Sequence, residues 1–235
     1  MKYPNFNEEK RLWKKGYGFV VGLDEVGRGP LAGPVVAAAV LINLKFKNQN
    51  AKLQFKIKKL DKISDSKKLS EKQREFFYNI LTNHEKIKWG IGVVSEKIID
   101  KINILEATKL AMVKAIVNLK SKCQNPNVKS NPKFKVDFLI LDGNFKIDTS
   151  RFRQGFGEPR QKSIIKGDQK VFSISAASII AKVTRDRVME KYDKKYPQYG
   201  FKKHKGYPTK AHFASLKKFG PCSIHRKSFY PVRSL

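Results

Sequence analysis

Read for the alternation of apolar and polar positions, the chain divides into short extended runs and longer helical ones. Residues 18–23 (GFVVGL) and 34–43 (PVVAAAVLIN) are rich in β-formers, residues 89–94 make a third such run, and residues 136–141 (VDFLIL) make a fourth. Each is short, and the fourth is closed by Asp142-Gly143, a turn dipeptide. Helical patterns fall between and after them. Ser70 and Gln73 have the spacing of a capping box, which opens a helix through Leu81. Asn103, with Glu106 three residues on, starts a second helix reaching Leu119, and residues 175–194 form the longest helical pattern, stopped near Pro197. Three early strands, then helix, strand and helix, predict an α/β protein with a mixed sheet covered by helices.

Two stretches break the pattern and read as exposed loops. Residues 45–59 are lysine-rich, and residues 120–135 hold two Asn-Pro pairs. Charge then changes the picture. Fifty Lys and Arg against twenty Asp and Glu give +30, far more than solubility requires, and favour a polyanionic partner. The excess is concentrated at the end: residues 194–235 contain no acid, eleven Lys or Arg and three His, interleaved with aromatics such as Tyr199, Tyr207 and Phe213. Basic and aromatic side chains together suit a phosphate backbone and its sugars or bases. Burial of those aromatics in a small helical subdomain is the competing reading. His204 and His212, in this basic stretch, are expected at the surface, with contact to phosphate as the alternative. No apolar run approaches a membrane span, residues 1–15 are polar rather than signal-like, and Cys123 and Cys222 lack metal-ligand spacing. The expectation is a cytoplasmic protein with no membrane partner, and a monomer.

Against that background the acids stand out. Asp24 and Glu25 end the first strand, Asp142 ends the fourth, and Asp168 sits in Lys166-Gly167-Asp168 just before the next apolar run. If those strands are neighbours, the four carboxylates meet. Clustered carboxylates repel unless hard cations lie between them, and Mg²⁺ and Mn²⁺ prefer such oxygen donors. A pair of such ions is a standard device for displacement at phosphorus. Taken singly, each acid could equally be a turn or cap residue. The glycine-rich run 27–34 (GRGPLAGP) follows the first pair. Gly27, Gly29 and Ala32 fit a dinucleotide fingerprint, but that motif must open a helix, and here Pro30, Pro34 and VVAAAVLI lead into another strand. Nothing acidic occurs between Glu25 and Asp61 to hold a ribose, so the fingerprint fails.

The run 23–40, LDEVGRGPLAGPVVAAAV, closely resembles the signature of the type 2 ribonucleases H (ribonuclease HII). Further blocks follow in order: DSKKL at 65–69, NIL at 103–105, LDG at 141–143, KGD at 166–168, SAASIIAKVTRD at 175–186 and HKGY at 204–207. An ordered set of this length is far more specific than any one block. The resemblance implies a ribonuclease H-like fold, a five-stranded mixed sheet flanked by helices, with residues 1–195 as catalytic domain and residues 196–235 as a small basic helical region. It implies that Asp24, Glu25, Asp142 and Asp168 are the catalytic, metal-binding carboxylates for two Mn²⁺ or Mg²⁺ ions. It further implies cleavage of the RNA strand of RNA–DNA hybrids and on the 5′ side of ribonucleotides within duplex DNA, leaving 3′-hydroxyl and 5′-phosphate ends. Gly27, Arg28 and Gly29 would contact the 2′-hydroxyl through their backbone. Tyr207 would bond the same hydroxyl and stack on the next deoxyribose. Lys67, Asn103, Lys182 and Arg185 would contact phosphate or support those that do, with helix packing as the alternative for the last two. A non-catalytic duplex-binding protein that kept the basic face is the rival class; the intact carboxylate set argues against it.

Overall fold

The computed structural model describes residues 3–42, 60, 63, 66–123, 135–149 and 159–235. Five strands form one mixed sheet: β1 (Val20–Val26), β2 (Val35–Ile42), β3 (Ile87–Val94), β4 (Phe138–Asp142) and β5 (Arg160–Ile164). Their spatial order is β3-β2-β1-β4-β5, with the first three antiparallel and β4 and β5 parallel to β1. Helices α1 (Asn7–Lys14), α2 (Glu71–Asn83), α3 (Glu96–Cys123) and α4 (Phe172–Lys195) precede, connect and cover the strands. Two short helices, α5 (Phe201–His204) and α6 (Lys210–Phe219), close the chain.

Strand β2 (VVAAAVLI) is buried at every position because both faces of the sheet are covered. One face packs Val21, Leu23, Ala37, Ala39 and Leu41 against Met112, Ile116 and Leu119 of α3. The other packs Val36, Ala38 and Val40 against Ala176, Ile179 and Ile180 of α4. Glycines make the first layer close: a Cβ at Gly92 of β3 would stand 1.9 Å from the Ala111 carbonyl oxygen of α3. Burying one Leu or Ile side chain contributes about 1.5–3 kcal/mol, so these two layers supply most of the stability.

The structure departs from the sequence reading in identifiable places. Strand β1 runs on to Val26, so Asp24 and Glu25 lie within it rather than just past its end. Strand β5 (RQKSI) and helix α1 have no apolar run that would reveal them. Helix α4 begins at Phe172, three residues before the expected start. The Ser70 capping box is present as read. About two turns of helix from Glu96 precede Asn103, which sits at φ 64° and ψ 168° and interrupts α3. The Asn103 carboxamide oxygen then accepts the amides of Leu105 and Glu106, so it caps the second half of that helix. The expected loop 45–59 and residues 124–134 of the second loop lie outside the described residues; residues 120–123 are helical.

Candidate active site

Strands β1 and β4 are parallel neighbours, and Leu23 pairs with Leu141. The next residues along, Asp24 and Asp142, therefore lie side by side at the same end of the sheet. Asp24 is 4% exposed; one of its oxygens accepts the Glu25 amide at 2.7 Å, and Ser178 of α4 bonds it as well. Asp142 accepts the Gly167 amide at 2.6 Å, which draws in the 3₁₀ turn Gly167–Gln169 and with it Asp168, 5% exposed. Gly167 permits this approach, since a Cβ there would meet Ile174 at 2.7 Å and the Asp142 carboxylate at 3.3 Å.

The electrostatics are those of crowded anions. Burial, then the negative charges of Glu25 and Asp142, push the Asp24 carboxyl well above the usual carboxylate range, and Asp168 adds to this. Burial raises Glu25 too, opposed by the guanidinium of Arg28 at 3.3 Å and reinforced by Asp142. Glu25 Oε2 is buried with no hydrogen-bond partner. Among the described residues no three acid, His or Cys side chains are already drawn into a closed metal cage. The donor set nonetheless fits a hard divalent cation: it is all oxygen, mutually repelling, and includes one buried oxygen that nothing else satisfies.

Asp24, Glu25 and Asp142 line a cavity of about 510 Å³ shared with Gly27, Arg28, Gly29, Ser66, Lys67, Ser178, Lys182 and Tyr207; Asp168 is not among its lining residues. Gly27 must be glycine: its φ is +95°, and a Cβ would lie 2.2 Å from Arg185 Nε. Gly29 and Tyr207 are adjacent, a Cβ at Gly29 reaching 3.9 Å from the tyrosine ring. Lys182 lines the cavity while bonded to Asp186 at 2.8 Å, and burial lowers its pKa. Asn103 is not among the lining residues.

Arg185 is fully buried. It donates to the carbonyls of Pro34 (2.9 Å), Lys205 (2.9 Å) and Ala32 (3.1 Å), which is the packing alternative of the sequence reading. Sequence reasoning missed Arg226 altogether. It too is fully buried, donating to the carbonyls of Gly27, Arg28 and Gly33. His212 is fully buried rather than at the surface, and so is His225; His204 is partly buried and stacked on His212 at 4.4 Å. Polar side chains read as surface unless their acceptors are known, and these acceptors lie far away in sequence.

A mixed sheet of this order, with acids from β1, β4 and the turn after β5 gathered at one end, defines an α/β nuclease-type architecture. Comparison with known proteins makes this specific. The family model for ribonuclease HII matches residues 21–232, and the chain belongs to that family. It is 47% identical to the ribonuclease HII of Chlamydia muridarum over 225 residues, 96% of this chain and 88% of that one. Among solved structures it resembles the ribonuclease H2 of Pyrococcus horikoshii, with TM-score 0.61, 29% identity, and coverage of 92% and 96%. A ribonuclease HIII (Bst) solved in complex with Mn²⁺ shares the fold at TM-score 0.61 and 18% identity, covering 92% of this chain and 68% of that one. The chain is thus an endoribonuclease of a family that acts on the RNA of RNA–DNA hybrids and depends on divalent metal.

Proposed function

We propose that this enzyme cuts on the 5′ side of ribonucleotides embedded in duplex DNA, as well as the RNA strand of longer hybrids, giving 3′-hydroxyl and 5′-phosphate ends. One observation carries the reading: buried Asp24 and half-buried Glu25 and Asp142, which repel one another, share a cavity with a glycine turn and an exposed tyrosine. Asp24, Glu25, Asp142 and Asp168 would hold two Mn²⁺ or Mg²⁺ ions, which when bound supply an activated water and charge stabilisation at the leaving oxygen.

The chain's own residues do the rest. Arg28 balances Glu25 and keeps its carboxylate oriented. The Gly167 amide fixes Asp142 by hydrogen bonding one of its oxygens. The backbone of Gly27, Arg28 and Gly29, unobstructed by side chains at 27 and 29, can approach a ribose 2′-hydroxyl closely. Tyr207, 38% exposed, offers its hydroxyl to the same group and its ring to the next sugar. Lys67 and Lys182 line the cavity where a phosphate backbone would pass. The +30 charge supplies sequence-independent affinity for the duplex, and binding should weaken steeply with salt. No described helix is long and apolar enough to cross a membrane; a cytoplasmic monomer is the simplest form in which such an enzyme would work.

The test is a DNA duplex with one ribonucleotide, incubated with and without Mn²⁺, its products sized and their ends determined. A single cut 5′ of the ribonucleotide is expected. Cutting of long hybrid alone would remove the embedded-ribonucleotide reading, and tight binding without any cutting would favour the non-catalytic class.

A further inference from the structure

His225 and Arg226 are adjacent in sequence and reach in different directions. Arg226 secures the glycine turn: its guanidinium holds the carbonyls of Gly27, Arg28 and Gly33, and its amide donates to the Leu31 carbonyl at 2.8 Å. His225 reaches Tyr207 through a chain of hydrogen bonds. The Cys222 amide donates to His225 Nδ1 at 2.9 Å, which leaves the proton of that ring on Nε2. Nε2–H then donates to His212 Nε2 at 3.0 Å, so His212 carries its proton on Nδ1 and donates it to the Tyr207 carbonyl at 3.0 Å. With this assignment each bond of the chain has one donor and one acceptor, and both rings are neutral.

The two halves are also tied to each other. The Leu31 amide donates to the Gly206 carbonyl at 2.8 Å, next to Tyr207, and Ala32 forms a bridge with His225. Packing removes slack: His212 and His225 lie against the buried ring of Phe201, with centroids 5.6 and 5.7 Å away. The turn and the tyrosine come from distant parts of the chain, yet one dipeptide holds both.

We propose that His225-Arg226 is a positioning unit for ribose recognition: it sets the spacing between the Gly27–Gly29 backbone and Tyr207, and thereby the preference for a ribonucleotide followed by deoxyribose over one inside continuous RNA. The inference rests on the roles given above to the turn and to Tyr207. Arg226 is needed as arginine, because one planar fork spans three carbonyls where a lysine ammonium supplies a single point of donation. His212 is needed as a ring that accepts on one side of the chain and donates on the other. Neither residue touches substrate; both act through the groups they hold.

The experiment compares wild type, Arg226→Lys and His212→Phe on a single-ribonucleotide duplex and on a long RNA–DNA hybrid, in Mn²⁺. Outlying partners that orient site groups are commonly worth about 10–100-fold in activity. Cutting of the single-ribonucleotide duplex should fall by about that range, roughly tenfold more than cutting of the hybrid, with the loss mainly in kcat. The gain in thermal stability on adding Mn²⁺ should stay as in wild type, because the acids are untouched. His212→Phe keeps an aromatic ring but removes both ring nitrogens, and it lies away from the turn, so it tests the chain of rings even if Arg226→Lys folds poorly. Equal losses on both substrates, or an unchanged ratio in a folded variant, would overturn the positioning role and leave the nuclease reading standing. A wild type that cuts neither substrate would remove both.

Discussion

Two places in this molecule bury like charges, and they solve the problem in opposite ways. At the sheet end Asp24, Glu25, Asp142 and Asp168 crowd together, the pKa values of Asp24 and Glu25 rise, and Glu25 Oε2 is left without a partner. Beneath the glycine turn two arginines, Arg185 and Arg226, are fully buried, and among the described residues no carboxylate is bonded to either guanidinium. Their donors go instead to the carbonyls of Gly27, Arg28, Ala32, Gly33, Pro34 and Lys205. Burial lowers their pKa to about 10 and about 9, Arg226 being further lowered by Arg185, and both remain cations at neutral pH. A buried charge whose bonds are completed by backbone is scaffold. A buried charge with an unsatisfied oxygen beside other anions is a place for a ligand.

The largest expected effect breaks the comparison at the acidic side. Asp142→Asn should reduce cutting by on the order of 10²–10³ or more. Its thermal stability should hold or rise, because a repulsive charge is removed from beside Asp24. A melting temperature that falls as for a core substitution would make Asp142 structural. On the basic side the signs reverse: Arg226→Met should cost roughly 3 kcal/mol or more, since several buried carbonyls lose their donor. Chemical denaturation would measure it, and a change under about 0.5 kcal/mol, the range of ordinary surface positions, would refute the scaffold reading.

Part of this contrast was legible in the sequence. Strands β1, β2, β3 and β4 announce themselves as apolar runs, and Asp24, Glu25 and Asp142 stand at or near the ends of two of them. Strand β5 does not, because an edge strand reading RQKSI buries too little to need an apolar run. Asp168 follows no described strand directly; only the KGD block marks it, and the Asp142–Gly167 hydrogen bond explains its place. Arg226, His212 and His225 were illegible for a different reason. Polar type predicts exposure, and what keeps Arg226 inside is a set of carbonyls some 193 to 199 residues earlier in the chain. Asn103 shows the same limit in miniature: its helix-starting role was readable, the stretch of helix from Glu96 before it was not.

A smaller effect sharpens the acidic side. Divalent cation at about ten times its Kd should stabilise the wild type by about 1.4 kcal/mol. Asp142→Asn should lose most of that gain, whereas Arg226→Lys should keep it. Thermal melts with and without Mn²⁺ check both, and equal gains in all three proteins would place the cation elsewhere.

The smallest effect concerns the neutral partners of the basic scaffold. Burial lowers the pKa of His212 and of His225 to about 4 each, against 6.5 in the unfolded chain. A base whose folded pKa is depressed binds its proton more readily when unfolded, so its contribution is complete above pH 6.5 and is lost as pH falls toward 4. Between about pH 7 and pH 6 the two together should remove on the order of 1 kcal/mol, allowing for the hydrogen bond that couples them. Asp24 and Glu25 push the other way, because their raised pKa values make the folded state the better proton binder. The two contributions separate by substitution. Asp24→Asn should steepen the loss of stability on acidification, and His225→Gln should flatten it; identical slopes in the two variants would mean that neither buried group governs the response to acid.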